Sequence, residues 1–196
     1  MLITVLLKTK ENYYSVKILE TERTILREVT IDDAEFILDL LNQPSFIRYI
    51  GDRNVRTTRE ARDYIESRFT ESYRKFGFGM WAVELKETNA PVGLCGFVKR
   101  DSLPDADIGF AFLPQFERKG YAFESAAAAL CCGRDVLQFK RVLAITSKDN
   151  ESSGRLLGKL DFKLERLIVL SGDDEELKLF LNEPRNNMKR HETNSQ

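Results

Sequence analysis

Apolar residues along this chain recur with two different periods, which separate predicted helices from predicted strands. A spacing of three to four residues favours a helix, and a short apolar or alternating run bounded by turn residues favours a strand. The helical stretches are about Ile31 to Leu41, from Thr57 or Thr58 to about Lys75, about Tyr121 to Leu137, and Ser152 to Leu160. The strand-like stretches are Thr24 to Val29, Met80 to Leu85, Val92 to Lys99, Ala106 to Leu113, Val142 to Thr146, Phe162 to Leu170 and Leu177 to Leu181. The predicted order is therefore strand, two helices, three strands, helix, strand, helix and two strands.

The residues between these stretches predict how the elements are joined. Turn-forming residues at Thr88 to Pro91 and at Asp101 to Asp105 divide three successive strands, which predicts an antiparallel meander. The last two strands are expected to form a hairpin over the acidic turn Gly172 to Glu176. After the first helix, Phe46 to Ile50 is expected to be an aromatic and aliphatic connector that ends at Gly51.

Length and composition predict a single globular domain. The chain has 196 residues, of which 42% are apolar and 31% charged, enough to bury one sizeable core. Residues 1–20 fit either an extra strand or a loose arm, and Asn186 to Gln196 fits a solvated tail. We therefore expect an N-terminal extension over 1–20, one domain over 21–184 and a polar tail over 185–196.

Charge and the scarce residue types narrow the chemistry. Lys and Arg number 30 against 31 Asp and Glu, and this net charge of −1 gives no support to a nucleic-acid or membrane partner. No apolar run approaches the length of a bilayer span, and the apolar start Met1 to Leu7 is too short for one. Cys95, Cys131 and Cys132 fit neither a redox nor a zinc spacing, so a reducing, cytoplasmic setting is expected. The only histidine, His191, lies in the polar tail, which argues against a His-dependent triad or a His-ligated metal.

The segment Pro114 to Ala122 carries the clearest chemical signal. Arg118, Lys119 and Gly120 lie there between a predicted strand and a predicted helix. Backbone N–H groups at a helix start lack partners and the helix dipole is positive there, so such a loop can hold a phosphate. The alternative is an ordinary loop whose basic residues face water.

At this loop the sequence resembles a known family. Glu117-Arg118-Lys119-Gly120-Tyr121-Ala122 looks like the acetyl-CoA pyrophosphate loop of the GNAT acetyltransferases, written R/Q-x-x-G-x-G/A, with Glu117 in place of the first Arg or Gln. Thr21 to Arg27 is similar to the opening strand of the RimJ/RimL ribosomal-protein N-terminal acetyltransferase branch, and Asp107 to Phe110 to its fourth strand.

The resemblance continues towards the C-terminus. Asn150 to Ser153, followed by Leu156 to Phe162, resembles the N-x-x-S and V-L-x-K-L-G-F signature of the same branch. Asp161 replaces the usual Gly of this signature, and Asp tolerates a left-handed backbone. Matches follow in order from about Thr21 to Leu181.

The resemblance implies a fold and a co-substrate. The fold is the α/β (α+β) acyl-CoA N-acyltransferase fold, with a mixed, mostly antiparallel seven-stranded sheet, flanked by helices and splayed between its fourth and fifth strands. Acetyl-CoA would bind in the splay as co-substrate, and no metal is implied. The residues implied in its binding are Phe110, Ala111, Phe112 and Leu113 for the pantetheine arm, Arg118, Lys119, Gly120, Tyr121 and Ala122 for the pyrophosphate, and Asn150 for the far side of the arm. The alternative for Asn150 is an ordinary helix N-cap, and for Tyr121 it is packing at the loop.

The implied reaction is direct attack of an amine on the acetyl thioester. Glu84 and Asp107 are the acids on predicted central strands, so either accepts the amine proton directly or through water, and exposure on alternating strands is the other possibility for both. Ser153 is implied as the acid that protonates the departing thiolate. Cys131 and Cys132 are expected to be core residues.

The acceptor is expected to be a primary amine, and the resemblance favours a protein or peptide N-terminal α-amine. A polyamine, an aminoglycoside or an amino acid is the second possibility, and a non-catalytic acyl-CoA-binding module is the third. The first helix, the Phe46 to Ile50 connector, the second helix and the terminal hairpin are expected to build the acceptor pocket. No oligomeric state is predicted.

Overall fold

Eight strands form one sheet in the computed structural model, which describes residues 16–171 and 174–183. They are β1 (Lys17–Glu20), β2 (Thr24–Glu28), β3 (Met80–Leu85), β4 (Pro91–Val98), β5 (Asp107–Phe112), β6 (Val142–Ser147), β7 (Lys163–Val169) and β8 (Glu176–Asn182). The strand order is β1-β2-β3-β4-β5-β6-β8-β7, and β5 with β6 is the one parallel pair among these strands. The expectations for Met1 to Leu7, for Gly172 in the hairpin turn, for His191 and for the tail lie outside the described residues.

The sheet has one strand more than expected. The additional strand is β1. Of the two possibilities for residues 1–20, an extra strand or a loose arm, the described part of this segment therefore forms the strand. Leu19 of β1 pairs with Leu26 of β2, and both side chains are buried in the core. Burial of Leu19 explains why this edge strand forms, because apolar burial favours pairing at the sheet edge.

The helices follow the predicted order with two additions. A 3₁₀ turn (Ile31–Asp33) leads into α1 (Ala34–Leu41), and α2 (Pro44–Tyr49) occupies the stretch that was expected to be a connector. The remaining helices are α3 (Thr58–Tyr64), a π-helical turn (Ile65–Thr70), α4 (Glu71–Phe76), a second 3₁₀ turn (Pro114–Phe116), α5 (Tyr121–Asp135) and α6 (Glu151–Lys159). Helix α2 forms because Pro44 suits a first helical turn and Phe46 is buried against the core.

The π-helical turn between α3 and α4 has a packing reason. Ala61, Ile65, Phe69 and Tyr73 are all buried, at a constant spacing of four residues. Four residues overrun an α-helical turn of 3.6, so the buried face of an unbroken α-helix would drift around the axis. The wider i→i+5 turn takes up this excess and keeps all four side chains on the core side.

Helix α5 packs closely on the sheet because its inner face is made of small residues. Ala126 and Ala129 are fully buried, and a Cβ on Gly133 would lie 2.8 Å from the Phe97 ring of β4. The Tyr73 hydroxyl of α4 donates to the Met80 carbonyl of β3 and accepts from the N–H of Val29, just after β2, at 3.1 Å. No helix among the described residues is long and apolar enough to cross a membrane.

The parallel pair β5 and β6 is joined at one end only. Asp107 pairs with Leu143, and the Leu143 N–H donates to the Ala106 carbonyl at 3.0 Å. Beyond this point the two strands run on to Phe112 and Ser147 without further register pairs. The splay predicted between the fourth and fifth strands is therefore confirmed, and with β1 counted it lies between β5 and β6.

Candidate active site

The gap between β5 and β6 opens into a cleft of about 1440 Å³. The loop before α5, the start of α6 and the segment from α2 to α4 all line it. The residues with predicted roles that line this cleft are Asp107, Phe110, Ala111, Phe112, Arg118, Gly120, Ala122, Asn150 and Ser153. Leu113, Lys119, Tyr121 and Glu84 are not in its lining.

The loop before α5 has the backbone shape of an anion-binding turn. Arg118 has φ of 58° and Gly120 has φ of 87°, so both residues are left-handed, and Gly120 is the residue that starts the helix. The Glu124 N–H makes the first helical bond, to the Gly120 carbonyl, which leaves the N–H groups of the first turn without helical partners. These groups and the positive end of the helix dipole suit a phosphate.

An ion pair between Arg23 and Glu124 holds this loop in place. The Arg23 guanidinium lies 2.6 Å from Glu124, donates to the Lys119 carbonyl at 3.1 Å and stacks over the Tyr121 ring at 4.6 Å. Glu124 also accepts from the Thr21 hydroxyl at 2.5 Å and from the Arg23 N–H at 2.8 Å. Burial alone would raise the pKa of Glu124, but these hydrogen bonds and the Arg23 charge lower it overall.

Sequence reasoning assigned no role to Arg23 or Glu124. A signal was present for Glu124, because an acidic residue in the first turn of a helix favours the positive dipole end. The Tyr121 ring packs under Arg23, in agreement with the alternative role for Tyr121, which was packing at the loop.

Alternate residues of β5 turn their backbone groups towards the gap. The Leu113 N–H donates to Val92 of β4, and the Ala106 carbonyl accepts from Leu143 of β6. Because backbone groups alternate along a strand, those of Phe110 and Phe112 face the β6 side. They are available to an added extended chain.

Asp107 lies at the closed end of the gap. It is 2% exposed, and the Arg100 guanidinium donates to its carboxylate at 3.0 Å. Burial raises the pKa of Asp107, although the neighbouring Arg100 charge acts in the opposite direction. A carboxylate with a raised pKa is a better proton acceptor near neutral pH.

The structure does not bring Glu84 to the cleft. Glu84 pairs with Pro91 on β4, near the opposite end of the sheet from Asp107, and accepts from Arg27 at 2.7 Å. Arg27 also makes two bonds of 2.8 Å to the buried Asp33. Glu84 is thus held in a structural ion-pair cluster two strands away from β5.

Asn150 and Ser153 lie together at the start of α6. The Asn150 side-chain oxygen accepts from the Ser153 N–H at 3.0 Å, so the N-cap interpretation of Asn150 is confirmed. The Asn150 amide nitrogen and the Ser153 hydroxyl take no part in this bond. Both residues line the cleft, so the cap fixes where these two polar groups sit.

Thr146 is a cleft residue that sequence reasoning missed. It is 8% exposed, and its hydroxyl oxygen has no hydrogen-bond partner among the described residues. A buried polar group without a protein partner is uncommon in folded proteins, so this hydroxyl is a candidate to bond a ligand in the cleft. The only sequence signal is a threonine inside the apolar run of β6.

The cysteines agree with a core role. Burial raises the pKa of Cys95 to about 12 and that of Cys132 to about 11, so neither is a ready thiolate. Cys131 is partly buried next to Cys132.

Comparison with known proteins identifies the family. Residues 23–163 match the family model of the acetyltransferase (GNAT) domain. The uncharacterized N-acetyltransferase YoaA of Bacillus subtilis (strain 168) is 32% identical over 152 residues, which cover 77% of this chain and 85% of that protein.

Solved structures agree at the level of the fold. The apo structure of RimL, a ribosomal L7/L12 alpha-N-protein acetyltransferase, superposes with a TM-score of 0.75 at 16% identity over 91% of this chain and 99% of that one. The microcin C7 self immunity acetyltransferase MccE, in complex with acetyl-CoA and AMP, has a TM-score of 0.68 at 17% identity over 83% of this chain and 93% of that one. With its splayed sheet, its loop before α5 and a family match over most of its length, the chain belongs to the acetyltransferase (GNAT) family, whose members use acetyl-CoA.

Proposed function

We propose that this protein transfers the acetyl group of acetyl-CoA to the α-amine at the N-terminus of a peptide or protein. The observation that carries the proposal is that one cleft is lined by an anion-binding helix start, the open backbone edge of β5 and the segment from α2 to α4. A two-substrate transferase needs such an arrangement, because both substrates must be held together in the reacting geometry.

Two features of the cleft fit acetyl-CoA. The loop from Arg118 to Ala122 offers unpaired N–H groups and a basic side chain to the pyrophosphate. The backbone of Phe110 and Phe112, the buried Thr146 hydroxyl and the Asn150 amide offer hydrogen bonds to the amide groups of the pantetheine arm. When bound, acetyl-CoA supplies an acetyl thioester that an amine attacks directly.

Asp107 is our proposed proton acceptor. Its burial and raised pKa suit a group that takes a proton from the acceptor amine, directly or through water. Glu84, the other acid considered from sequence, is engaged with Arg27 outside the cleft and is not assigned this role.

Ser153 is our proposed proton donor to the thiolate that leaves. Its hydroxyl is at the start of α6 and its backbone is fixed by Asn150. A thiol pKa of about 8.5 makes the thiolate a tolerable leaving group, so this donor assists rather than enables the reaction.

Proton availability favours an α-amine over a lysine side chain. An α-amine with a pKa of about 8 is roughly 10% free base at pH 7, whereas a lysine with a pKa of about 10.4 is only about 0.04% free. A lysine acceptor therefore needs a strong base, and Asp107 is the one carboxylate at the cleft that we assign to proton transfer.

The test uses paired peptides of one sequence with the full-length protein and acetyl-CoA. One peptide has a free N-terminus and blocked lysine, and the other has a blocked N-terminus and free lysine. Thiol release with the first and not the second supports the proposal. Preference for the second peptide, or brisk turnover of a polyamine with neither peptide acetylated, would overturn it.

A further inference from the structure

The wall of the cleft from α2 to α4 carries an excess of positive charge. Arg48, Arg53, Arg68 and Lys75 line the cleft from this side, against a single acidic side chain, Glu71. The whole chain has a net charge of −1, so the excess is local to this wall.

Three of these cations have no acidic partner among the residues that the structure describes. Arg48 is engaged with Asp149 at 2.7 Å. Arg53, Arg68 and Lys75 have no carboxylate oxygen within 4.0 Å in the part of the chain that the structure describes. We call these three residues the cationic wall.

The fold presents two members of the cationic wall in a specific way. Arg68 lies within the π-helical turn, and Lys75 lies one to two turns later in α4. Both line the cleft, as the buried Phe69 next to Arg68 also does, so this face of the segment borders the cleft. Such π-turns are rare and occur frequently at functional sites, which is consistent with a binding role for this face.

We infer that the amine acceptor carries an anionic group, a carboxylate or a phosphate, close to its reactive amine, and that the cationic wall binds this group. The inference rests on the proposed function, because it concerns the acceptor of that same reaction. A cleft lined by charges of one sign attracts ligands of the opposite sign and disfavours like charge. The acceptor is thus a peptide with Asp or Glu shortly after its free N-terminus, and a cationic polyamine is repelled.

The first experiment compares three peptides that share a length and an N-terminal residue. The following positions are Asp and Glu in the first, Asn and Gln in the second, and Arg in the third, so that none contains a second amine. We expect kcat/KM for the acidic peptide to exceed that for the neutral one by roughly tenfold, with the Arg peptide lower again. The difference should shrink as salt is raised, because exposed charges are screened.

The second experiment reverses one charge of the cationic wall. Arg68→Glu should lower kcat/KM for the acidic peptide by at least roughly tenfold and raise it for the Arg peptide. Arg62→Glu is the matched control, because Arg62 is exposed on the same helical segment and does not line the cleft. Calorimetric affinity for acetyl-CoA should be unchanged in both variants.

The outcomes separate this inference from the function on which it rests. Equal kcat/KM for the three peptides, with normal turnover, would overturn the inference and leave the N-terminal acetyltransferase standing. A further arm compares an acidic amino acid and an aminoalkyl phosphate with spermidine. If only the small acidic amines are acetylated, the acceptor is anionic but is not a peptide. If spermidine is preferred, both the peptide acceptor and the anionic acceptor are contradicted.

Discussion

Arg118 and Gly120 give the loop before α5 its shape, and Arg23 holds that shape from a position about a hundred residues earlier in the chain. Both loop residues have positive φ, which places the first N–H groups of α5 beside the cleft. Glu124 anchors Arg23 from within the same helical turn. The shape of the loop therefore depends on Arg23, the residue before β2, as well as on α5.

We predict that Gly120→Val weakens acetyl-CoA binding while the protein stays folded. A Cβ at Gly120 meets only the end of the Arg23 side chain, so the cost comes from φ of 87° and is roughly 1–2 kcal/mol or more for a β-branched residue. Relief of this strain moves the loop, and affinity measured by calorimetry should fall about tenfold or more. Gly77→Val is the control, because Gly77 has φ of 74°, a Cβ there meets no atom, and Gly77 does not line the cleft; this variant should lose similar stability at unchanged affinity for acetyl-CoA. Unaltered affinity in a folded Gly120→Val would remove the pyrophosphate assignment.

Glu124→Gln should destabilise the protein in a pH-dependent way. The folded-state pKa of Glu124 is lowered, so its stabilising contribution is present above the unfolded pKa and is lost as pH falls through the folded pKa. The cost of the substitution, about 1–3 kcal/mol at pH 7, should therefore shrink below pH 4. Denaturant unfolding across this range measures it. A cost independent of pH would mean that the charge of Glu124 contributes nothing.

Ser153→Ala is expected to lower turnover and leave acetyl-CoA affinity almost unchanged. The Asn150 cap uses the Ser153 backbone N–H, so the substitution removes the hydroxyl without removing the cap. The loss should not exceed the roughly 10² to 10⁴ range of one proton-transfer group. Ser152→Ala, one residue earlier in α6, is the matched control. Normal turnover in Ser153→Ala would assign the protonation to solvent or to another hydroxyl.

At the scale of single residues, the sequence predicts local backbone conformation better than it predicts ion pairs between distant residues. The left-handed backbone expected at Asp161 is confirmed, with φ of 63°, because that requirement is local. The engagement of Glu84 with Arg27 and the brace between Arg23 and Glu124 were not predicted, because each joins residues far apart in sequence. Nothing in the local pattern distinguishes a catalytic carboxylate from an ion-paired one.

Among the elements, the strands match the predicted ranges closely and the helices do so less well. Alternation and turn residues mark strand ends directly, whereas α2 has only six residues and no full amphipathic period. The π-helical turn was not predicted, because a four-residue spacing of apolar positions fits both an α-helix and its widened form. The packing of helix α5 depends on another feature, the small residues that face β4.

We predict that Gly133→Ala destabilises the packing of α5 on β4. Its Cβ would lie 2.8 Å from Phe97 and 3.2 Å from Phe139, so overpacking of about 1–3 kcal/mol should outweigh the gain in helix propensity of about 1 kcal/mol. Gly154→Ala in α6 is the control, because its Cβ would meet only Phe180 at an ordinary 3.8 Å and it should stabilise the protein. Thermal unfolding of both variants checks the contrast. Equal stabilisation would show that α5 moves away from the sheet at no cost.

For the molecule as a whole, the separation of β5 from β6 decides where chemistry takes place. The eight strands form one sheet, yet the sheet is closed at Asp107 and open at Phe112. The splay was expected from a resemblance to the family and not from any pattern in these strands, since the apolar run of β6 is typical of an ordinary buried strand. The position of β8 between β6 and β7 is likewise a property of the assembled sheet.

We predict that turnover is independent of metal ions. Among the described residues no group of three or more His, Cys, Asp or Glu side chains is arranged to hold one, and the proposed proton transfers use Asp107 and Ser153. Turnover after dialysis against a chelator should equal that of the untreated protein. Loss of activity that zinc or magnesium restores would contradict the proposed mechanism.

The π-helical turn has a consequence for how this chain compares with its relatives. An i→i+5 turn holds one residue more than an α-helical turn, so a homologue with an unbroken helix here should align with a single-residue gap between 65 and 70. Because the wide turn absorbs the extra residue, loss of that residue together with the widening leaves the residues after the turn in the same orientation. Such a deletion keeps Lys75 at the cleft and changes the turn that carries Arg68, so an insertion or deletion, and not only a point mutation, is a route by which acceptor preference diverges among relatives.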